Sequence, residues 1–416
     1  MLFTTKKSSL AIVAALLFSG GTASASAVIT DWNLGNVSVS TATGAGVSTI
    51  YNGAVGNPGA VATGKVTFDG SEGFSPGIKI VNDDALTGSN GNNCIMANSG
   101  SSCNGAKQTG KRFKLQTTGE EPNDLVFNVN PDGSFASEGN DGLYKVFLAF
   151  GNDSGKSLEG FNVSLGAGVG GGFVASTATD GLGFVQSFGD DKPLNNSQFS
   201  VLFSNGLFGP QDDVHTLLGY FDDQRAGFGL AFDNADSFSS TGLFGSYGDL
   251  FGAMLSYDQL PQGYFFDDDG NADTDSVLIA HQLANGSWVQ NRGIDGDGNI
   301  ATLAFGNNGT AYASLSELIM ALSAGGVQDC SVASSGTACL AGADAIDDLA
   351  KVNMSFFIDP TGYTDPQFTL RFGTALVSSN GVPEPGALAL VTLGLGMLGA
   401  STRRKSAKPS KPSQLS

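Results

Sequence analysis

The chain has 416 residues, of which 60 are glycine, and only 14% of the residues are charged. This composition excludes a coiled coil or a helical bundle, and the lack of a three-residue glycine period excludes collagen. Acidic residues outnumber basic residues by 39 to 20, so the formal charge of -19 argues against binding to nucleic acid.

The N-terminus predicts a secretory signal peptide over residues 1–25. Lys6 and Lys7 precede an apolar run at 10–18, and small residues follow with cleavage sites after Ala25 and after Ala27. The apolar run is too short to cross a membrane comfortably. We therefore expect signal peptidase to release an exported chain that begins near residue 26.

Residues 26–381 predict an all-β ectodomain, an antiparallel β-sandwich or jelly-roll-like fold with one or two short helices. Apolar and polar residues alternate in short runs, as at Phe161, Val163 and Leu165, which a strand places on one face. Glycine beside Asn or Asp supplies the turns between the runs. The predicted strands are 65–68, 78–81, 125–129, 144–150, 161–165, 199–203, 354–358 and 368–372.

Four cysteines in an exported chain indicate two disulfides. Cys94 and Cys103 are nine positions apart, as are Cys330 and Cys339, and both intervening loops carry Ser-Gly at corresponding positions. We expect the local bridges Cys94–Cys103 and Cys330–Cys339, each contributing about 2 to 3 kcal/mol in the chain-entropy model. A metal or redox site is the alternative, although neither spacing is C-x-x-C.

Two glycine motifs match catalytic patterns without the expected context. Residues 73–77 fit the nucleophile elbow, yet a strand-like run follows Pro76 where a helix is required. A hydrolase that uses Ser75 with His215 or His281 stays open as an alternative. Residues 166–171 contain G-x-G-x-x-G, but aromatic and β-branched residues follow, so we predict a glycine-rich turn.

The stretch 158–208 opens with LEGFNVSLGAGVGGGFVASTATDGLGF and continues with FSVLFSNGLFG. It resembles the choice-of-anchor surface-protein families, and among them it points to type F. The resemblance implies an ectodomain of the kind found attached to different sorting tails. It implies no catalytic activity.

Acidic residues cluster at 267–275 and again at 295–299. Asp and Asn side chains alternating with glycine turns can direct several oxygens at one Ca²⁺, so a structural calcium ion is the one cofactor considered, against a solvated acidic loop. The segment 266–275 is also the best boundary between two domains, one elaborated domain being the alternative. The candidate calcium ligands are Asp267, Asp269, Asn271, Asp273, Asp275, Asp295, Asp297 and Asn299.

Helix signals are few. Ser314 and Glu317 form a capping-box pattern, Leu318 and Leu322 share the apolar face that follows, and glycines at 325–326 predict the end of the helix. A second short helix is predicted over 341–350.

The C-terminus contains three elements in order. Val382, Pro383, Glu384 and Pro385 precede an uncharged apolar stretch at 386–402, and a basic cluster follows. A helix over 386–402 is about 25 Å long, slightly less than the hydrocarbon layer of about 30 Å. We predict a transmembrane helix there and a disordered tail over 406–416. The basic cluster is Arg403, Arg404 and Lys405.

This order resembles the PEP-CTERM sorting signal, the tag that exosortases act on in Gram-negative bacteria, over residues 382–405. The resemblance implies that Pro383, Glu384 and Pro385 are the recognition motif and that the basic cluster retains the precursor in the membrane. Exosortase and signal peptidase are then the processing partners. The residues after 405 depart from the family, whose tail usually stops near the cluster.

Removal of both ends leaves a body near 26–385 with 13 basic and 39 acidic residues, a formal charge of -26. We expect it to stay unattached to anionic surfaces and to attract cations. The sequence predicts a cell-surface or extracellular-matrix protein with a structural or adhesive, non-catalytic role, associated with extracellular polysaccharide. The alternatives are a carbohydrate-binding module that uses Trp32, Trp288 or a tyrosine, and a polysaccharide hydrolase with two carboxylates.

Overall fold

The structure is a computed structural model that describes residues 27–42, 44–69, 75–83, 93–97, 102–103, 109–136, 140–185, 187–188, 192–193, 229–241, 254–271, 276–295, 298, 300–302 and 309–376. The predicted signal peptide, the strand 199–203, the sorting motif and the transmembrane helix lie outside these residues. Within them, no helix is both long and apolar enough to cross a membrane.

The described part of the chain is mostly β-strand, with one α-helix, as the composition predicted. The predicted strands that fall within it are all present. In chain order the strands are β1 (Val28–Trp32), β2 (Val37–Ala42), β3 (Ala45–Tyr51), β4 (Ala62–Phe68), β5 (Ile78–Val81), β6 (Asn93–Ala97), β7 (Phe113–Thr117), β8 (Asn123–Asn130), β9 (Tyr144–Asn152), β10 (Leu158–Ala167), β11 (Val174–Ala175), β12 (Gly183–Phe184), β13 (Ser187–Phe188), β14 (Lys192–Pro193), β15 (Gly229–Phe232), β16 (Ser237–Thr241), β17 (Gln262–Asp267), β18 (Val277–Gln282), β19 (Trp288–Gln290), β20 (Arg292–Ile294), β21 (Ile300–Thr302), β22 (Thr310–Tyr312), β23 (Cys339–Ala345), β24 (Lys351–Asp359) and β25 (Gln367–Leu376). The helix is α1 (Leu315–Ala324), and 3-10 turns lie at Thr109–Lys111, Gly170–Gly172, Tyr257–Gln259 and Asp347–Leu349.

Two large sheets pack face to face. Sheet I has the order β1-β8-β25-β10-β16-β15, with β11 beside β10, and sheet II has the order β12-β24-β9-β7-β4-β3-β2, with β6 beside β9 and β5 beside β6. Their inner faces share one hydrophobic core. The ring of Phe150 in sheet II lies 5.4 Å from that of Phe161 and 5.7 Å from that of Phe372, both in sheet I. The two sheets therefore form a β-sandwich-like pair, with aromatic side chains packed between them.

Alternation decides which face each side chain occupies. Phe161, Val163 and Leu165 of β10 are all buried in the shared core, as their spacing predicted. The direction of pairing is less regular than predicted, because β9 pairs in parallel with both β6 and β7. A period of two specifies a strand but not its neighbour, so the mixed character of sheet II could not be predicted from the sequence.

A smaller sheet III, of order β22-β19-β18-β17-β23, carries its own core with α1. Leu318 and Leu322 of α1 are buried there beside Trp288. The capping prediction is confirmed, since Ser314 Oγ accepts from the backbone N–H of Glu317. The Glu317 carboxylate in turn accepts from the N–H of Ala313, one residue before the cap.

The predicted helix over 341–350 is wrong. Residues up to Ala345 belong to β23, which pairs antiparallel with β17, and a 3-10 turn at Asp347–Leu349 is the one helical turn in this segment. Gly342 has a φ of +104°, which no helix accommodates. The alanines of the segment favour a helix locally, but pairing with β17 overrides that preference.

Candidate functional site

A cleft of about 670 Å³ opens between the outer face of sheet II and the edge of sheet III. Strands β4, β7, β9 and β24 form its floor, and β23 with the turn that follows forms one wall. Such a cavity is the default place to look for a ligand in a chain without a bound molecule. We therefore describe it as the candidate site.

The floor is a row of polar side chains across adjacent strands. Thr67 pairs with Lys114, Lys114 pairs with Ala149, and Ala149 pairs with Asn353. At about 4.8 Å per strand the row spans about 14 Å. Because Ala149 is small, it leaves a depression between the ammonium group of Lys114 and the amide of Asn353.

Tyr257 closes one end of the row. Its ring lies over Gly151, where an added Cβ would come within 2.7 Å of the tyrosine hydroxyl oxygen. Burial raises the pKa of Tyr257, and a hydrogen bond with Gln116 partly offsets that rise. The close approach requires glycine at position 151, and it gives the cleft an aromatic ring beside polar groups.

The wall carries the carboxylates. Asp344, Asp347 and Asp348 line the cleft, and the Asp347 carboxylate accepts a hydrogen bond from Lys351 Nζ at 2.7 Å. Burial opposes charge on Lys351, but the neighbouring Asp348 and Asp347 outweigh it and raise the pKa of that lysine. Positive charge therefore concentrates on the floor and negative charge on the wall.

The wall is also an open strand edge. β23 is the last strand of sheet III and pairs with β17 on one side, while Leu340 bonds to residues 328–330 on the other. From Ala341 to Ala345 no described strand covers the outer edge. Backbone N–H and C=O groups on this edge can therefore supply hydrogen bonds to a ligand.

Both predicted disulfides are present. Cys94–Cys103 joins β6 to the segment before β7, and both sulfurs are buried beside Phe147 and Met96. Cys330–Cys339 fastens the start of β23. Within the described residues no cysteine is left unbridged.

The glycine-rich turn at 166–173 serves the fold. The N–H of Gly170 donates to the Asp124 carboxylate at 2.6 Å, and Arg371 donates to the same carboxylate and to the Gly170 carbonyl. A protein carboxylate therefore occupies the anion-binding N–H that a nucleotide phosphate would need. This arrangement agrees with the predicted structural turn.

The residues of the alternative serine hydrolase lie on different sheets. Ser75 precedes β5 of sheet II, next to a cis peptide bond with Pro76, whereas His281 lies in β18 of sheet III. His281 is 2% exposed and its Nδ1 is 2.7 Å from the Asn291 side-chain oxygen. His215 lies outside the described residues.

Half of the predicted calcium ligands lie within the described residues. Asp267 ends β17 and Asp269 follows it, and their carboxylates accept hydrogen bonds from the backbone N–H groups of Gly270 and Asn271. Asp295 follows β20, and both acidic segments approach the loop before Cys339, at Gly270 against Thr337 and at Gly298 against Ala338. Asp273, Asp275, Asp297 and Asn299 lie outside the described residues, and the calcium ion stays a prediction.

Trp32 and Trp288 do not offer exposed rings. They are 5% and 2% exposed, and each packs in a hydrophobic core. An aromatic contact to a sugar would have to come from another ring, such as Tyr257 in the cleft.

Sequence analysis missed the cleft. A signal for its floor is visible in hindsight, because Arg112, Lys114 and Gln116 alternate with apolar residues and a strand places them on one face. The wall comes from a distant part of the chain, and the sequence does not show that β23 meets this face.

We compared the chain with protein-family models, curated proteins and solved structures, and no match was found in any of the three.

Proposed function

We propose that this chain is an exported, exosortase-sorted protein of the cell surface or extracellular matrix, with a structural or adhesive role that requires no catalysis. The C-terminal order of sorting motif, apolar stretch and basic cluster carries the proposal. The two disulfides support it, since such bonds persist in oxidising compartments outside the cytoplasm.

In the proposed route, signal peptidase cleaves after Ala25 or Ala27 and the apolar stretch 386–402 holds the precursor in the membrane. Arg403, Arg404 and Lys405 keep the C-terminal end on the cytoplasmic side. Exosortase then acts at the motif formed by Pro383, Glu384 and Pro385. The β-sandwich remains outside the cytoplasm and associates with extracellular polysaccharide through the cleft.

Deletion of 383–385 tests the sorting step. We expect the deletion variant to accumulate as a membrane-bound precursor of higher mass, because exosortase no longer recognises it. Immunoblots of inner-membrane, surface and medium fractions measure this, with deletion of 408–410 in the tail as the matched control. Unchanged fractionation of the 383–385 deletion would rule out sorting through this motif.

A carbohydrate-binding module is the second candidate, and the cleft favours it. Thr67, Asn353 and Gln116 provide hydroxyl and amide groups beside the ring of Tyr257, a combination suited to sugar hydroxyls. The hydrolase alternative needs a paired carboxyl with a raised pKa in the cleft. Burial, with help from Asp269 and Asp267, raises the pKa of Asp268, but that residue lies outside the cleft lining.

A further inference from the structure

The outer face of sheet II is basic, although the body as a whole is strongly acidic. Strands β4, β5, β6, β7, β9 and β24 contribute one carboxylate to this face, Asp359 at the far end of β24. Five cations lie on these strands within the described part of the chain, and two more, the buried Lys111 and Arg112, directly precede β7. These seven residues, which we call the basic face, are Lys65, Lys79, Lys111, Arg112, Lys114, Lys145 and Lys351.

Several cations of the described residues already have carboxylate partners, and two of them, Lys65 with Asp153 and Lys351 with Asp347, belong to the basic face. Lys156 lies 3.0 Å from Glu120, and Arg371 makes a two-point contact with Asp124. Lys114 differs, because it is exposed on the cleft floor and no described carboxylate lies within ion-pair distance of it. An exposed lysine without a carboxylate, in a body with three acids for each base, is suited to an external anion.

The cations on this face also crowd one another. Lys111 and Lys145 lie over the ring of Phe147 at 5.3 and 5.0 Å from its centroid. Burial lowers the pKa of Lys145, and the charges of Lys111 and Arg112 lower it further.

We propose that the cleft and the adjoining basic face bind a carboxylate-bearing polysaccharide, a polyuronate, with Lys114 contacting a sugar carboxylate. This inference rests on the proposed association with extracellular polysaccharide and specifies its chemistry. The amides of Gln116 and Asn353 and the hydroxyl of Thr67 can bond the sugar hydroxyls around that carboxylate.

The same face suits a glycan better than a nucleic acid. Duplex DNA carries one charge per about 1.7 Å and binds mainly through many phosphate contacts, so a body of charge -26 repels it strongly. A polyuronate carries about one carboxylate per sugar and offers hydroxyl groups to the uncharged floor residues. The floor of the cleft supplies one exposed cation, Lys114, among neutral polar groups, while the carboxylates of the cleft lie on its wall, which matches that lower charge density.

Binding of oligogalacturonate to the purified protein tests the proposal, measured by calorimetry beside its methyl ester and single-stranded DNA. We expect the oligogalacturonate to bind in preference to the uncharged ester and to weaken as salt rises. Lys114→Gln should reduce the affinity about tenfold, as expected for loss of one charge-assisted hydrogen bond. Lys114→Arg should keep most of the affinity, and the matched control Lys156→Gln should leave it unchanged.

Equal affinity for the acid and its ester, or an unchanged affinity in Lys114→Gln, would overturn the proposal. Binding of DNA without binding of oligogalacturonate would overturn it in favour of nucleic acid. Because Lys114 is exposed, its variants should fold, and near-UV circular dichroism checks this. The 383–385 deletion reports on sorting alone, so failed glycan binding with normal sorting refutes this inference and leaves the proposed export intact.

Discussion

At the scale of single residues, one ion pair organises the outer side of sheet I. Asp124 is fully buried, and Arg371 contacts it through Nε at 2.6 Å and Nη2 at 2.8 Å. The guanidinium also lies 3.8 Å from the centroid of the Phe173 ring, which holds the glycine-rich turn in place. Removal of either charge would leave the other without compensation in a site that excludes water.

Arg371→Leu should therefore lower the free energy of unfolding by about 3 to 5 kcal/mol. Urea unfolding followed by tryptophan fluorescence measures the change. Lys156→Gln removes an exposed pair and should cost less than about 1 kcal/mol, which makes it the matched control. Similar losses in the two variants would show that the Asp124 pair has no special role.

Lys145 should have the opposite effect, since its charge is unfavourable in the folded state. Its folded pKa lies below the ordinary value of 10.5, so the folded protein bears a penalty at neutral pH that disappears as the pH rises through that range. Lys145→Gln should raise the melting temperature at pH 7, and the gain should shrink as the pH rises toward the ordinary value of 10.5. A lower melting temperature at pH 7 would contradict this.

At the scale of elements, the two disulfides connect the chain in different surroundings. Cys94 and Cys103 are 0% and 9% exposed and form part of a small apolar cluster, whereas the second bridge joins a half-buried Cys330 to Cys339, which is 4% exposed and belongs to no such cluster. The loops they close have equal length, so the entropic contribution of each bond is the same. Packing distinguishes them.

Cys330→Ser with Cys339→Ser should lower the free energy of unfolding by about 2 to 3 kcal/mol, chiefly the loop-closure contribution. Cys94→Ser with Cys103→Ser should cost more, because hydroxyl groups would replace buried sulfur beside Phe147. Denaturant titrations of both double variants give the comparison. A larger loss of stability for the Cys330 and Cys339 double variant would contradict this role of packing.

Elements were predictable to the extent that local patterns specify them. The alternation at Phe161 and the cap at Ser314 each fixed an element, because neighbouring residues decide both. The segment at 341–350 was mispredicted because its partner β17 lies some eighty positions earlier. Parallel pairing of β9 and the position of β23 against sheet II depend on the same kind of distant contact.

At the scale of the whole molecule, the composition gives the net charge but not how the charge is distributed over the surface. The charge of -26 led us to expect attraction of cations, yet the outer face of sheet II collects positive charge. Alternation puts Arg112, directly before β7, on the same side of the sheet as Lys114, whereas the carboxylates of the cleft come from a distant part of the chain. The candidate site was therefore not predicted: the alternation of its floor residues is visible in the sequence, but the meeting of β23 with sheet II is not.

The order of strands in sheet I also determines when in folding this sheet can form. β25 is the final described strand of the chain, yet it sits between β8 and β10 in the interior of the sheet. In a chain that is synthesised from its N-terminus, β8 and β10 therefore cannot join into one sheet until β25, which ends at residue 376, is available. The export that we propose would suit this delay, because sheet I cannot close before β25 has crossed the membrane.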